Sequence, residues 1–462
     1  MSVSRILAPT KIAKRPAHPG LPGLLALAVL VSACPTEPAP PPLRISSVYD
    51  EELGGPVRGL DTATLAAFGR GRAVMERQFA PSTGLGPRYN SVSCAGCHFF
   101  PVTGGAANRY RDQHLLQGKA EDGSRVDLGT DGGGPLRKLY STSEGHESEP
   151  AGGIVVARRA PLSALGVGLF SLVSDEEIRS RADPADADAD GISGRAAEVG
   201  GGVGRFGYKA QSATLEQAAR AAWKEQLGVT SPALGWTPPA VIGEGTQAFR
   251  WPQLIESEGV FIRPAHAHPS NEREDPSLDE DAVADPELSA GELSDLLTFL
   301  TFLAPPPRSE LPYSAESVAR GEELFGVVGC SRCHVPELDS AIGPIPAYTD
   351  LLLHDMGDQL GPDVAQGDAA EHEFRTTPLL AVRLFIPYLH DSSVPAYQFL
   401  ASGTAARPRR RGWPTPSCPR RTAATSRRSW SPWADGTPRG GTSRARGPSC
   451  PASARRGVPT VR

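Results

Sequence analysis

Two copies of one short pattern constrain this chain more than anything else in it: Cys94-Ala-Gly-Cys97-His98 and Cys330-Ser-Arg-Cys333-His334. Two thiols three positions apart can each add to one vinyl group of a haem, and a histidine directly after them can reach the iron from the proximal side. Each copy therefore reads as a site for a covalently bound haem c, with His98 and His334 as proximal ligands. Zinc sites and thioredoxin-like or disulfide-forming pairs share the Cys-x-x-Cys spacing. A closed zinc site needs four ligands, and neither pair has a second Cys or His pair at finger-like spacing. A redox pair would not require a histidine next, twice over.

At 462 residues, 39% of them hydrophobic, the chain is long enough for two or three globular domains. Lys11, Lys14 and Arg15 precede an apolar run from Leu21 to Val31, the charged and hydrophobic layout of an export signal. The run ends in Val31-Ser32-Ala33-Cys34, which resembles a bacterial lipoprotein box whose cysteine is lipidated and becomes the new N-terminus. The alternative is an ordinary signal cleaved nearby, with Cys34 incidental. Pro35 to Pro42 then form a semi-rigid tether. Beyond the N-terminus no stretch approaches the roughly 18 apolar residues of a membrane-spanning helix. The expected location is the bacterial cell envelope, on the periplasmic side, held to a membrane by the lipid anchor. Export suits the cofactor, because bacterial c-type haems are attached outside the cytoplasm.

Leu65, Phe68, Val74, Met75 and Phe79 recur at roughly helical spacing before Pro81 to Pro87 break the pattern, so a helix and a loop deliver the chain to Cys94. Ser314 to Phe325 repeats the plan, with Val318, Gly321, Leu324 and Phe325 on one face, ahead of Cys330. A glycine a few residues before an aromatic, just upstream of the haem motif, resembles the N-terminal helix of cytochrome c domains, where it lets a second helix cross closely. Such a second helix is legible in the first half: Ser289 and Glu292 form a capping box, Leu293, Leu296, Leu297, Leu300 and Leu303 an apolar face, and Pro305 to Pro307 the stop. Thr214 to Leu227 reads as a further amphipathic helix, with Gln217 at the capping-box position and Gly228 at its end.

Asp186, Asp188, Asp190 and Gly191 match the first half of a calcium loop, since alternating carboxylates on a turning backbone can converge on one hard cation. The twelfth position, where a bidentate Glu belongs, is Ala197, with Glu198 one step late. Calcium and a solvated acidic turn both remain open.

Asp186 to Arg195, Gly204-Arg-Phe-Gly-Tyr-Lys209, Ala347-Tyr-Thr-Asp-Leu-Leu-Leu-His-Asp-Met-Gly357 and Arg375-Thr-Thr-Pro-Leu379 resemble the bacterial di-haem oxidoreductase family of peroxidases and thiol oxidoreductases, with Tyr208 where the family commonly has Trp. That family is similar to di-haem cytochrome c peroxidases, in which one haem stores an electron and the other meets the peroxide. The resemblance implies a mainly α fold, two tandem cytochrome c-like domains with a large insertion in the first; past Asp391 it fails, and the composition there reads as a disordered C-terminal tail. The expected boundaries are 1–34 for the signal and lipobox, 35–46 for the proline-rich linker, 47–304 and 305–391 for the two domains, the second truncated, and 392–462 for the tail. From Ala401 onward the chain carries 14 Arg, no Lys and one Asp, with no His, no Met and no helical periodicity. Two accounts stand: a shifted reading frame beginning between about Asp391 and Ala405, or a genuine basic tail for anionic lipid or polysaccharide.

Distal ligands decide whether a haem stores electrons or binds substrate. His114 lies where di-haem peroxidases are similar in carrying a removable distal histidine, with a surface histidine as the alternative. For the second haem, Met356 is the sole methionine after Met75, His390 is a second candidate, and a ligand missing with the lost C-terminus is the third alternative. Glu144, Glu147 and Glu149 around His146 could supply a proton, but nothing in their spacing singles one out. The expected activity is that of a haem-dependent oxidoreductase of peroxidase type, served by a periplasmic electron donor or acceptor and acting on peroxide or another small molecule. A non-enzymatic di-haem electron carrier is the alternative. Nothing in the chain points to nucleic acid.

Overall fold

The computed structural model describes residues 43–45, 52–107, 111–119, 125–126, 136–142, 154–243, 283–306, 314–357, 364–380, 382–385 and 388–394. Cys34, the acidic group around His146 and the tail beyond Val394 lie outside them.

Helix α1 (Thr62–Glu76) starts where Asp61 accepts a hydrogen bond from the Thr64 amide at 2.7 Å. It buries Phe68, Gly71, Val74 and Met75, while Leu65 faces outward. Two further helices stand in the middle of the chain, α2 (Asp175–Ser180) and α3 (Leu215–Leu227). Helix α3 has the expected Thr214–Gln217 capping box and a left-handed Gly228, and Trp223 meets Phe79 edge-on at 5.3 Å. Helix α4 (Ala290–Phe302) opens on the Ser289–Glu292 box and is buried on nearly every side, as a helix apolar all round must be. Helix α5 (Ala315–Val328) leads into the second Cys-x-x-Cys-His and buries none of its residues.

The centre of the fold is the crossing of α1 and α4. Phe68 packs on Phe299 with ring centroids 4.9 Å apart, and Arg70 forks onto Asp295 with two 2.7 Å bonds. At the crossing, a Cβ on Gly71 would lie 2.0 Å from the Asp295 carbonyl oxygen, so only glycine admits this approach. On the far side of α4 the 3-10 segment Val167–Leu172 repeats the device, with Gly168 against the Leu300 carbonyl. The same apolar core continues through Leu338, Ile342, Ile345, Leu351 and Leu352 of the second half.

The expected mainly α architecture of two tandem cytochrome c-like domains does not hold. Among the described residues there are also thirteen short strands in six small sheets. The largest is three-stranded and antiparallel, Arg125–Val126, Gln113–Lys119 and Ile154–Arg159, with a bulge at Leu115/Leu116. Leu43–Ile45, at the end of the expected linker, pairs in parallel with Val241–Gly243. After α5 the described chain runs as loops, 3-10 turns and two small hairpin ladders, Glu337–Leu338 with Ile345–Pro346 and Leu353–Asp355 with Glu373–Arg375. Among the described residues the long helices are α1, α3, α4 and α5, and the frequent Gly and Pro, 50 and 45 in the sequence, keep the helical segments between them short.

Candidate haem sites

Both Cys-x-x-Cys-His motifs fold in the same way. Cys94–Gly96 is a single 3-10 turn whose Ser93 hydroxyl accepts from the Gly96 amide, and the His98 amide donates to the Cys94 carbonyl at 3.0 Å. A Cβ on Gly96 would meet Ser91 Oγ at 2.2 Å, which explains the glycine between the two cysteines. The chain then doubles back through Phe100 and Ala106, bringing the Gly105 carbonyl 3.1 Å from His98 Nδ1. In the second copy, Gly329 at φ 90° closes α5, Cys330–Arg332 makes the 3-10 turn, and the His334 amide donates to the Cys330 carbonyl at 2.9 Å. His334 Nδ1 sits 2.8 Å from the Tyr348 carbonyl, which a left-handed Tyr348 (φ 48°) presents.

A carbonyl can only accept, so each imidazole holds its proton on Nδ1 and keeps the Nε2 lone pair for an iron, the orientation a proximal ligand requires. Burial pushes both imidazoles down, towards the neutral form that ligates; the Gly105 and Leu162 carbonyls oppose this at His98, and the Tyr348 carbonyl at His334. Burial likewise raises the Cys94, Cys97 and Cys330 thiols, which are free, as is Cys333. Reduced thiols beside an Nδ1-anchored histidine fit a haem c at each motif.

His114, on the strand Gln113–Lys119, shares a small cleft with Cys97, Asn90, Arg111, Asp112 and Gln226, so the structure brings this candidate to the first motif. Burial, then Arg137 and Arg158, lowers its pKa and keeps the ring neutral. Met356 follows the strand Leu353–Asp355, its amide donating to the His372 carbonyl at 2.9 Å. The His390 ring stacks on Phe374 at 4.3 Å and meets Tyr208 edge-on. Burial raises the Tyr208 hydroxyl against the pull of nearby Arg159 and Arg375, and lowers Arg375 to about 10.

Sequence reasoning missed the residues that stand against the second motif. His354 and Asp350 are both nearly fully buried, 4% and 2% exposed, with His354 Nε2 2.8 Å from Asp350 Oδ2 and Nδ1 3.0 Å from the Ser193 carbonyl. The Cys333 sulfur lies in the same cluster, all three ligand atoms being within 4.8 Å of one another. Burial alone would lower the His354 pKa; hydrogen bonds to Asp350 and Cys333 prevail and hold it up at about 10. The spacing Asp350-x-x-x-His354 was visible, but only the fold sets it beside Cys333.

The acidic loop rearranges the expected calcium set. Asp183, Asp186 and Asp188 bring one carboxylate oxygen each within 4.8 Å of the others. Asp190 instead faces Arg332 of the second motif, whose Nη1 lies 3.1 Å from its carbonyl and 3.3 Å from Oδ2. Ala197 is buried in the strand Ala197–Val199, and Glu198 pairs with Arg179 through two 2.9 Å bonds.

Residues 272–406 match the family described as "Di-haem oxidoreductase, putative peroxidase". That segment contains the second motif and the residues Ala347–Gly357 and Arg375–Leu379, and over it the chain is similar to the di-haem oxidoreductases. No curated protein and no solved structure matches.

Proposed function

We propose that this chain carries two covalent c-type haems, at Cys94/Cys97 and Cys330/Cys333, and acts as an oxidoreductase of peroxidase type in the bacterial envelope, lipid-anchored through Cys34. The observation that supports this most directly is the repeated geometry: two motifs 236 residues apart in number, each with a 3-10 turn and a histidine anchored through Nδ1 on a backbone carbonyl. When bound, the haems supply one-electron storage at one centre and a place for peroxide or another small substrate at the other. The chain orients His98 and His334 as proximal ligands and holds His114 in the cleft beside Cys97 as a neutral, removable distal group. Met356 and His390 are the distal candidates for the second haem. Asp183, Asp186 and Asp188 form the set a calcium ion would use, with Asp190 clamping that loop to Arg332.

Pyridine haemochrome analysis and mass spectrometry of the secreted chain test the cofactor content. Two covalent haems are expected, with one lost in Cys94→Ala/Cys97→Ala and the other in Cys330→Ala/Cys333→Ala. Absorption and electron paramagnetic resonance spectra, recorded fully oxidised and half reduced with cyanide or peroxide added, then test the activity. One high-spin, peroxide-reactive iron is expected on half reduction. Two low-spin irons indifferent to both ligands would make the chain an electron carrier.

A further inference from the structure

From the cluster of Cys333, Asp350 and His354, we propose that the haem-free chain binds one zinc ion through these three side chains, and that this zinc excludes haem from the second motif. The zinc site itself does not depend on the proposed function; only its competition with haem rests on that reading.

The ligand set and its surroundings both support the assignment. A soft thiol, an imidazole and a carboxylate are the donors zinc takes, and three protein ligands with one water make an open tetrahedral site. With bonds of about 2.0 to 2.3 Å, tetrahedral ligand atoms lie roughly 3.3 to 3.6 Å apart. The three ligand atoms are already gathered within 4.8 Å, with Nε2 and Oδ2 at 2.8 Å, so a modest opening of that contact admits the ion. The outer partners are also in place. The Ser193 carbonyl, 3.0 Å from His354 Nδ1, fixes a proton there, so that Nε2, facing Asp350, is the nitrogen that gives up its proton to bind the ion. Asp350 Oδ1 accepts the Leu352 amide at 2.9 Å, which leaves Oδ2 for the metal. Gly194 packs beneath the ring, where a Cβ would meet His354 Cε1 at 2.7 Å. On binding, zinc displaces two protons to solvent: the thiol proton of Cys333, as the sulfur–zinc bond forms, and the Nε2 proton that His354 shares with Asp350. That sulfur is the one the second haem's thioether would need, so the two occupants cannot coexist.

The sequence argues against zinc at this motif, because no second ligand pair stands at finger-like spacing. The fold supplies that pair from Asp350 and His354 instead.

The experiment titrates zinc chloride, against a chromophoric chelator, into the full-length chain produced without haem attachment, with circular dichroism to check folding of every variant. One zinc per chain is expected. His354→Gln and Asp350→Asn should each weaken binding by more than about 100-fold, beyond the range typical of losing an outer partner. Cys330→Ser should bind as the parent does. Cobalt substituted for zinc should show a sulfur-to-metal charge-transfer band that vanishes in Cys333→Ser alone. Absence of zinc binding by the folded parent, or a loss in Cys330→Ser equal to that in Cys333→Ser, overturns the site. A chain that binds zinc but never accepts haem would retain the zinc site and remove both the proposed function and the competition with haem. A chain that loads both haems and ignores zinc would do the reverse.

Discussion

The two halves of the molecule present one motif on two different supports. Ahead of Cys94, α1 is clasped by α4: Val74 is 7% exposed, and Gly71 touches the Asp295 backbone. Ahead of Cys330, α5 carries the same local order, Arg-Gly followed by an apolar pair, yet Leu324, which corresponds to Val74, is 59% exposed, and a Cβ on Gly321 would meet nothing within 4 Å. The turn and the Nδ1-to-carbonyl anchor are nonetheless alike in both. The motif's conformation is therefore set locally, by its own turn and a returning loop, while the helix before it sets how firmly that turn is held. In the second half the hold comes from polar loop contacts instead. Arg195 bonds Glu373 and Asp368 at 2.6 Å, Arg332 reaches Asp190, and His354 ties Asp350 to Ser193.

The contrast is broken most severely at the helix crossing. Gly71→Ala places a methyl 2.0 Å from one backbone atom and 2.7 Å from Phe299 Cβ, so α1 and α4 must separate. A loss of at least about 3 kcal/mol is expected in urea unfolding, at or beyond the upper end for overpacking. Hydrogen exchange should show the first motif losing protection before the second. Equal loss at both motifs would mean that the α1–α4 crossing supports them alike.

How much could be read in advance follows the same division. Helices α1, α3, α4 and α5 were legible, because caps such as Ser289–Glu292 and Thr214–Gln217 and an apolar period of 3.6 are local signals. The strands were not: most are two or three residues long, too short for an alternating pattern to declare itself. Cysteines and proximal histidines were legible from spacing. His354 and Asp350 were not singled out, because their meaning arises from contacts with Cys333 and Ser193, the latter 161 residues away. The acidic loop was half legible: its carboxylates converge, but on Asp183 rather than Asp190.

Alkaline pH separates the two halves by sign. In the first half, Lys138 donates to the Glu225 carbonyl, and burial lowers its pKa to about 8 from an ordinary 10.5. Between those values the unfolded chain binds more protons, so this group adds stability as pH rises. In the second half, the His354 pKa is raised from 6.5 to about 10, so the folded chain binds more protons, and its contribution, full below about 6.5, is lost as pH rises towards 10. In the haem-free chain, the stability gap between parent and His354→Gln should therefore shrink from pH 6.5 to 10. Any stability that Lys138→Met gains over the parent should shrink from pH 8 to 10.5. Chemical denaturation at a series of pH values checks both; a gap that widens with pH for His354→Gln would reverse the assigned shift.

The smallest expected effect tests the contrast most directly, because it is a gain. At Gly321 no neighbour opposes a methyl group, and the position lies inside a helix with ordinary backbone angles, so alanine relieves glycine's helix penalty of roughly 0.8 to 1 kcal/mol without adding strain. Gly321→Ala should therefore stabilise the chain by up to about 1 kcal/mol, while the matching change at Gly71 destabilises it several-fold more. If Gly321→Ala instead weakens the folded state, the open face of α5 is covered in solution, and the two halves are more alike than their described contacts. Thermal melts of the two single variants and the double variant decide this. Additive effects are expected, since a clash in the α1–α4 crossing and a propensity gain in α5 share no partner.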